Sequence, residues 1–284
     1  MKKKKTIQDF YEMKKNGQKI TFLTAYDFPT ATFAEDAGLD MLLVGDSLGM
    51  CVYGYQGTVP VVMDQMIYHS EAVRRGAPNT YVVGDMPFMS YQSSAEKAVE
   101  NAGRFLKEAD CDAIKLEGGV RIAEQIRAIS DAGIVVMGHI GLTPQSSGQL
   151  GGHKAQGRTA ETAKLVYEDA VAVKEAGALM LLVEAVPPEV CGFIARQLDI
   201  PVLSIGAGPE GDGQLLIVSD LIGQFQAFTP KFVKKYCNVA EVITDAMKAY
   251  CEEIRTGQFP KEEHCYRMIQ GEEEKFANLM KTVN

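Results

Sequence analysis

Short runs of Val, Ile, Leu and Met recur along the chain, each ending in a polar residue or glycine and each followed by a stretch with helical periodicity. The strand-like runs are Ile20–Tyr26, Met41–Asp46, Tyr81–Asp85, Ala113–Glu117, Ile134–His139, Leu179–Glu184, Val202–Gly206 and Leu216–Asp220, eight in all. Their continuous apolar character suits parallel strands covered on both faces rather than half-exposed antiparallel ones. The intervening stretches carry helix start and stop signals. Pro29 opens ATFAEDAG, which closes at Gly38. Ser93 or Ser94 caps AEKAVENAGRFLKEA, with Glu96 near the capping-box spacing. Thr159 and Thr162 begin a helix that runs to Gly177, and Val120–Ala132 fits the same description. An Ala-Gly pair precedes a new apolar run at Ala37–Gly38, Ala132–Gly133 and Ala176–Gly177.

Eight such units predict an α/β protein with a (β/α)8 TIM barrel. A doubly wound open sheet is the competing architecture, but it usually has fewer strands and needs a switch point. The amphipathic segment at about 6–17, with Ile7, Phe10, Tyr11 and Met13 as its apolar contacts, is expected to cap the bottom of the barrel. The charged tail at about 257–284 reads as surface or subunit-contact structure, and residues 1–284 as a single domain.

Composition narrows the function classes. The chain has 284 residues and a net charge of −8, which argues against a nucleic-acid grip, since that relies on a basic face. No apolar run approaches the length of a membrane span. Asp9, Glu12 and Lys14 stand where a signal peptide would have its apolar stretch, so a cytoplasmic location is expected. Six cysteines without a CxxC pair disfavour a zinc ribbon and read as reduced thiols, mostly packed.

The candidate chemistry lies at the strand ends. Gly45-Asp46-Ser47, Gly84-Asp85, Lys115-Leu116-Glu117, Gly138-His139 and Val183-Glu184 close five successive strands, and in a barrel these ends converge on one rim. Each residue has a plain structural alternative. Asp46 and Asp85 fit a helix cap or a turn, and Lys115 with Glu117, two apart on one face, fits a buried ion pair. The ensemble is harder to explain by packing, because carboxylates are rarely buried without partners. Clustered hard oxygen ligands without thiols favour Mg²⁺, a Lewis acid suited to a 2-oxo acid and its enolate. A glutamate within LMLLVEAV is expected to have a pKa raised by desolvation, as suits a general base. Proton abstraction next to a carbonyl, followed by carbon–carbon bond chemistry, is the reaction type these residues predict.

Other motifs carry less. Gly206-Ala207-Gly208-Pro209-Glu210-Gly211 has the GxGxxG spacing, but the next apolar run begins too soon for a crossover helix, so it reads as a tight loop at the barrel mouth. LGGHKAQGR at 150–158 lacks the ending of a P-loop and reads as a lid or substrate loop. His69 and His264 read as surface or packing residues. His139 and His153 are candidates to face substrate.

The segments LVGDSLGMCVYGYQGT, VVGDMPFMSY, AIKLEGG, VMGHIGLTPQS, LGGHKAQG, LLVEAVP and IGAGPEGDGQLLIVSD closely resemble the ketopantoate hydroxymethyltransferase family, over roughly Thr6 to Ile254. The resemblance implies a barrel of the phosphoenolpyruvate/pyruvate type that binds Mg²⁺. It implies transfer of a hydroxymethyl group from 5,10-methylenetetrahydrofolate to 2-oxoisovalerate, the first committed step of pantothenate biosynthesis. Carried onto this chain, Asp46 and Asp85 would ligate the metal and border the oxo acid, and Glu117 would join the metal's shell through water. Ser47 and Lys115 would bind the oxo acid, and Glu184 would remove its C3 proton. A homo-oligomer, a decamer, is implied by resemblance alone. Two alternatives compete with this reading. A lyase or mutase of the same barrel group often carries a reactive cysteine in the loop that here reads LGGHKAQG. An idle metabolite-binding barrel would have no use for a base-positioned glutamate beside three carboxylates.

Overall fold

The computed structural model describes residues 3–283. Their contacts divide the chain into two compact units, 1–237 and 238–284. In the first unit eight parallel strands close into a barrel in sequence order. They are β1 (Ile20–Thr24), β2 (Met41–Val44), β3 (Tyr81–Asp85), β4 (Ala113–Glu117), β5 (Val136–Gly141), β6 (Met180–Glu184), β7 (Val202–Ile205) and β8 (Gly213–Leu216). The helices between them are α2 (Phe28–Asp36), α3 (Leu48–Cys51), α4 (Met63–Gly76), α5 (Ala95–Ala109), α6 (Ala123–Asp131), α7 (Ser147–Leu150), α8 (Ala160–Glu175) and α9 (Pro188–Gln197). Ahead of the barrel lies α1 (Ile7–Lys15), and α10 (Val218–Leu221) follows β8. The second unit contains α11 (Val239–Thr256) and α12 (Glu272–Met280), which carry exposed apolar side chains including Val242, Met247, Tyr250 and Phe276.

Helix ends follow local chemistry. Asp27 caps α2 by accepting from the Thr30 amide at 2.8 Å, two residues before the proline that marks the helix in the sequence. Ser94 caps α5 through the Lys97 amide, and Thr159 caps α8 through Thr162. Beneath the barrel α1 is the expected plug. Phe10 is fully buried, edge-on to Tyr81 at 5.1 Å, and Lys14 Nζ reaches Asp212 at 2.6 Å and the Ala195 carbonyl at 2.8 Å.

The eighth strand differs from the expectation. Leu216–Asp220 is not a strand. β8 lies earlier, at Gly213–Leu216, and Val218–Leu221 is a helical turn. Barrel closure decides this. Gly213 registers with Ile20 and Leu203, and a Cβ there would stand 2.4 Å from the Ile20 carbonyl oxygen. Only glycine permits that approach, and glycine hides a strand from any apolar pattern. Thr24 Oγ1 then accepts from the Val218 amide at 2.9 Å, turning the chain into α10. β5 also begins two residues late, because the Ile134 amide still bonds back to Ile129 at the end of α6. Of the six cysteines, Cys237, Cys251 and Cys265 are exposed, so the packing expected of most thiols holds only for the others.

Two apolar layers result. Strand faces turned outward pack under the helices, with Leu42, Val82, Ile114, Leu116, Leu181 and Val183 among them. Inward faces form a second cluster that includes Phe22, Met41, Tyr81, Val83, Ala113, Met137, Met180 and Leu182, together with Phe10 of α1. Among the described residues no helix is long and apolar enough to cross a membrane.

Candidate active site

Alternation along the strands carries each inward column from apolar to polar as it rises. β3 presents Tyr81, Val83 and Asp85; β4 presents Ala113, Lys115 and Glu117; β5 presents Met137 and His139; β6 presents Met180, Leu182 and Glu184. The tops of these columns, with Asp46 and Ser47 after β2, line one cavity of about 560 Å³ at the carboxyl ends of the strands. Every candidate site residue is therefore brought together. The polar floor is buried: Asp46, Asp85, Lys115, Glu117 and His139 are each at most 4% exposed.

Lys115 is the hub. Its Nζ stands 2.8 Å from Asp85 Oδ1, 3.7 Å from Glu117 Oε1 and 3.2 Å from His139 Nδ1. Burial alone would lower the lysine pKa, but Asp85, Glu117 and Asp46 together hold it above the ordinary value, so it stays charged. Burial pushes the carboxyls up in turn, well above the ordinary value for Asp85. Lys115 opposes that rise in each. Asp85 also accepts the Asp46 amide at 2.9 Å through Oδ2, which ties the ends of β2 and β3 together.

An ammonium only donates, so His139 Nδ1 accepts from Lys115 and Nε2 carries the ring proton. Burial, and then the Lys115 charge, lower the His139 pKa and keep the ring neutral. Nε2 lies 3.1 Å from Glu184 Oε2, yet it makes no aligned hydrogen bond among the described residues. Glu184 is the most open member of the cluster, its side chain 14% exposed, so the apolar run around it overstated its enclosure. Ala185 follows with φ of 49°, a left-handed conformation held by hydrogen bonds from its N–H to the Ile205 carbonyl and from the Gln156 N–H to its own carbonyl, both 2.9 Å.

Two residues escaped the sequence reading. Gln145 donates through Nε2 to Asp46 Oδ2 and to the Met86 carbonyl, each at 2.9 Å, and its amide donates to Glu117 Oε2 at 3.0 Å. Tyr91, fully buried, donates to Gln145 Oε1 at 2.7 Å and accepts the Glu117 amide at 3.0 Å. Gln145 sits in a short 3-10 turn after β5 and Tyr91 in the loop after β3, where no periodicity marks them. Their signal was only a polar and an aromatic residue shortly after a strand. Ser47 shares a hydrogen bond of 2.8 Å with the Tyr26 hydroxyl. His153 lines the cavity from the glycine-rich loop, whereas His69 is engaged by Tyr26 and Tyr53 outside it.

The donor set suits one kind of ion. Among the described residues no group of three or more His, Cys, Asp or Glu could hold a metal. Asp46 and Asp85 are instead a pair of adjacent carboxylates, and the partner of Asp85 Oδ1 is the Lys115 ammonium at 2.8 Å. Mg²⁺ fits two carboxylates, because it retains waters and takes further oxygens from substrate. Glu117, occupied by Gln145 and facing Lys115, fits contact with the ion through water rather than direct ligation.

The fold matches solved structures that share little sequence with it. Phosphonopyruvate hydrolase in complex with oxalate and Mg²⁺ aligns over 98% of each chain with a TM-score of 0.60 at 13% identity. 2,3-Dimethylmalate lyase, a PEP mutase/isocitrate lyase superfamily member, aligns over 98% of this chain and 96% of its own with a TM-score of 0.56 at 16% identity. Sequence relatives are far more similar. The 3-methyl-2-oxobutanoate hydroxymethyltransferase of Alkaliphilus metalliredigens is 65% identical over 96% of this chain and 97% of its own length. That of Acetivibrio thermocellus is 50% identical over 94% and 95%. The family model described as ketopantoate hydroxymethyltransferase matches residues 4–262. With the barrel, the strand-end cluster and these relatives in agreement, the chain belongs to the ketopantoate hydroxymethyltransferase family of enzymes.

Proposed function

We propose that this enzyme transfers a hydroxymethyl group from 5,10-methylenetetrahydrofolate to 3-methyl-2-oxobutanoate, giving ketopantoate for pantothenate synthesis. The observation that carries this reading is the placement of Glu184 at the open edge of a buried cluster that holds one fixed cation and two adjacent carboxylates. The names of the relatives supply the oxo acid.

Asp46 and Asp85 would hold Mg²⁺, with Glu117 reaching it through water. When bound, the ion supplies Lewis acidity to the keto and carboxylate oxygens of the oxo acid. Lys115, fixed by Asp85, offers a positive charge to the negative charge that develops on the keto oxygen. Ser47 is placed to donate to the substrate carboxylate. Gln145 and Tyr91 lock Asp46 and Glu117 so that neither moves as charge develops. Glu184 takes the C3 proton, and the His139 Nε2–H turns toward its Oε2, leaving the other oxygen for substrate. Water cleaves the two C–N bonds of the methylene group, so tetrahydrofolate leaves with its N–H groups restored and the one-carbon unit stands at the formaldehyde level. The C3 carbon adds to that carbonyl carbon, and the alkoxide formed takes back the proton held by Glu184 to give the hydroxymethyl group. A cytoplasmic decamer completes the proposal, and sedimentation of the full chain tests the assembly.

Proton NMR of the oxo acid in D₂O with the enzyme tests the chemistry. Mg²⁺-dependent loss of the C3 proton signal, with ketopantoate appearing once the folate is added, is expected. Glu184→Gln should still bind the oxo acid but exchange the proton roughly 10²–10⁴-fold more slowly. Neither exchange nor product from folded, Mg²⁺-loaded enzyme would redirect the search to lyase substrates.

A further inference from the structure

The cavity has two chemical zones, and the cluster described above occupies only its floor. Around the mouth, Phe225, Phe228, Pro230 and Phe232 form an aromatic and apolar wall. Phe225 and Phe228 meet edge-to-face at 5.5 Å, and Phe228 and Phe232 remain 53% and 38% exposed. Gly206, at the end of β7, lets the Phe232 ring lie against the backbone, since a Cβ there would stand 2.5 Å from the ring. A five-carbon oxo acid held on the floor has no use for three phenylalanines at the mouth.

Polar groups without partners open into the same zone. Asp220 on α10 is 6% exposed and lines the cavity, but its carboxylate accepts no hydrogen bond among the described residues. Burial raises its pKa, and the charge of Lys235 opposes this only in part. The Thr58 hydroxyl, also lining the cavity, is buried and unpartnered. Lys231 lines the mouth with no ion pair among the described residues. A buried carboxylate that meets no donor marks a place for a ligand that brings one.

The missing donor has a definable shape. A flat ring fits between phenylalanine faces, and a pair of parallel N–H groups on its edge matches a carboxylate as a guanidinium does. An aminopyrimidinone fused into a pteridine presents that edge, and an anionic tail would complement Lys231. We propose that the outer zone is the pteridine subsite, in which Asp220 accepts the aminopyrimidinone N–H pair, Phe228 and Phe232 cover the ring, and Lys231 meets the anionic tail. This rests on the folate-dependent reading above and assigns the residues that would hold the donor.

The test is titration of tetrahydrofolate, and of its 2-desamino analogue, into the full-length enzyme with Mg²⁺ and 2-oxoisovalerate. Wild type should prefer tetrahydrofolate. Asp220→Asn should weaken tetrahydrofolate roughly ten- to hundredfold and erase that preference. Phe232→Ala should weaken both ligands about tenfold, by loss of stacking alone. Lys231→Met should flatten the salt dependence of binding. Equal weakening of both ligands by Asp220→Asn would reduce Asp220 to a structural role and overturn the assignment, as would wild-type affinity in the Asp220 and Phe232 variants. Should Asp220→Asn fail to fold, the Phe232 and Lys231 variants decide. Proton exchange at C3 without folate separates the two ideas. Exchange with unperturbed folate binding in the variants sinks the subsite alone. Absence of exchange sinks the proposed reaction, while the titrations still judge the subsite.

Discussion

Replacing Lys115 by methionine keeps the volume of the side chain and removes the one cation in the buried floor. Asp85 at 2.8 Å and Glu117 at 3.7 Å are then left facing each other and Asp46 with no counter-charge. All of these groups are almost wholly buried, so solvent screens little of the change. Breaking a buried pair from one side typically costs about 3–5 kcal/mol. For a unit of this size that corresponds to a fall in Tm on the order of 10 °C. The pH dependence is diagnostic. Burial already raises the carboxyl pKa values in the folded state, and Lys115 is the main force opposing the rise in Asp85 and Glu117. A carboxyl raised by folding binds more protons folded than unfolded, so its stability contribution falls as pH rises from the ordinary carboxylate range to the folded value. Without Lys115 that window extends further toward alkaline pH, and the deficit must grow from about pH 5 to about pH 8. Thermal melts of both proteins in EDTA at the two pH values measure it. A deficit equal at both, or larger at acid pH, would refute the assignment of Lys115 as the charge that keeps these carboxylates ionised.

Other expectations follow from the same geometry. Asp85→Ala removes the acceptor of the Asp46 amide and the partner of Lys115, so calorimetry should show Mg²⁺ and oxo-acid affinity falling together by roughly tenfold or more. His139→Ala should slow C3 exchange by roughly ten- to hundredfold, and His139→Gln, which keeps an N–H donor, should recover part of the loss. Equal rates in these two variants would exclude the Nε2–H as the group that orients Glu184. Phe10→Ala empties the plug beneath the barrel and should cost about 3–5 kcal/mol in urea unfolding, with little change in metal affinity.

The barrel was legible in the order of residues, because continuous apolar runs alternating with capped helices have few ways to bury both faces. That order also pointed to Asp46, Asp85, Lys115, Glu117 and Glu184 as candidates. Each alone fits a cap, a turn or an ion pair, so it is their recurrence at successive strand ends that singles them out. Tertiary structure decided what no local pattern encodes. Gly213 carries no apolar side chain, and only its register with Ile20 makes it the strand that closes the barrel. Gln145, in a 3-10 turn, and Tyr91, in a loop, are remote in sequence from Asp46 and Glu117, and folding alone brings them within hydrogen-bond reach. The protonation of His139 depends on a lysine from the neighbouring strand, and the open carboxylate of Asp220 on a helical turn that the sequence presents as strand. Periodicity reports which face a residue occupies, whereas hydrogen bonds and charge pairing depend on distances that only the closed barrel sets.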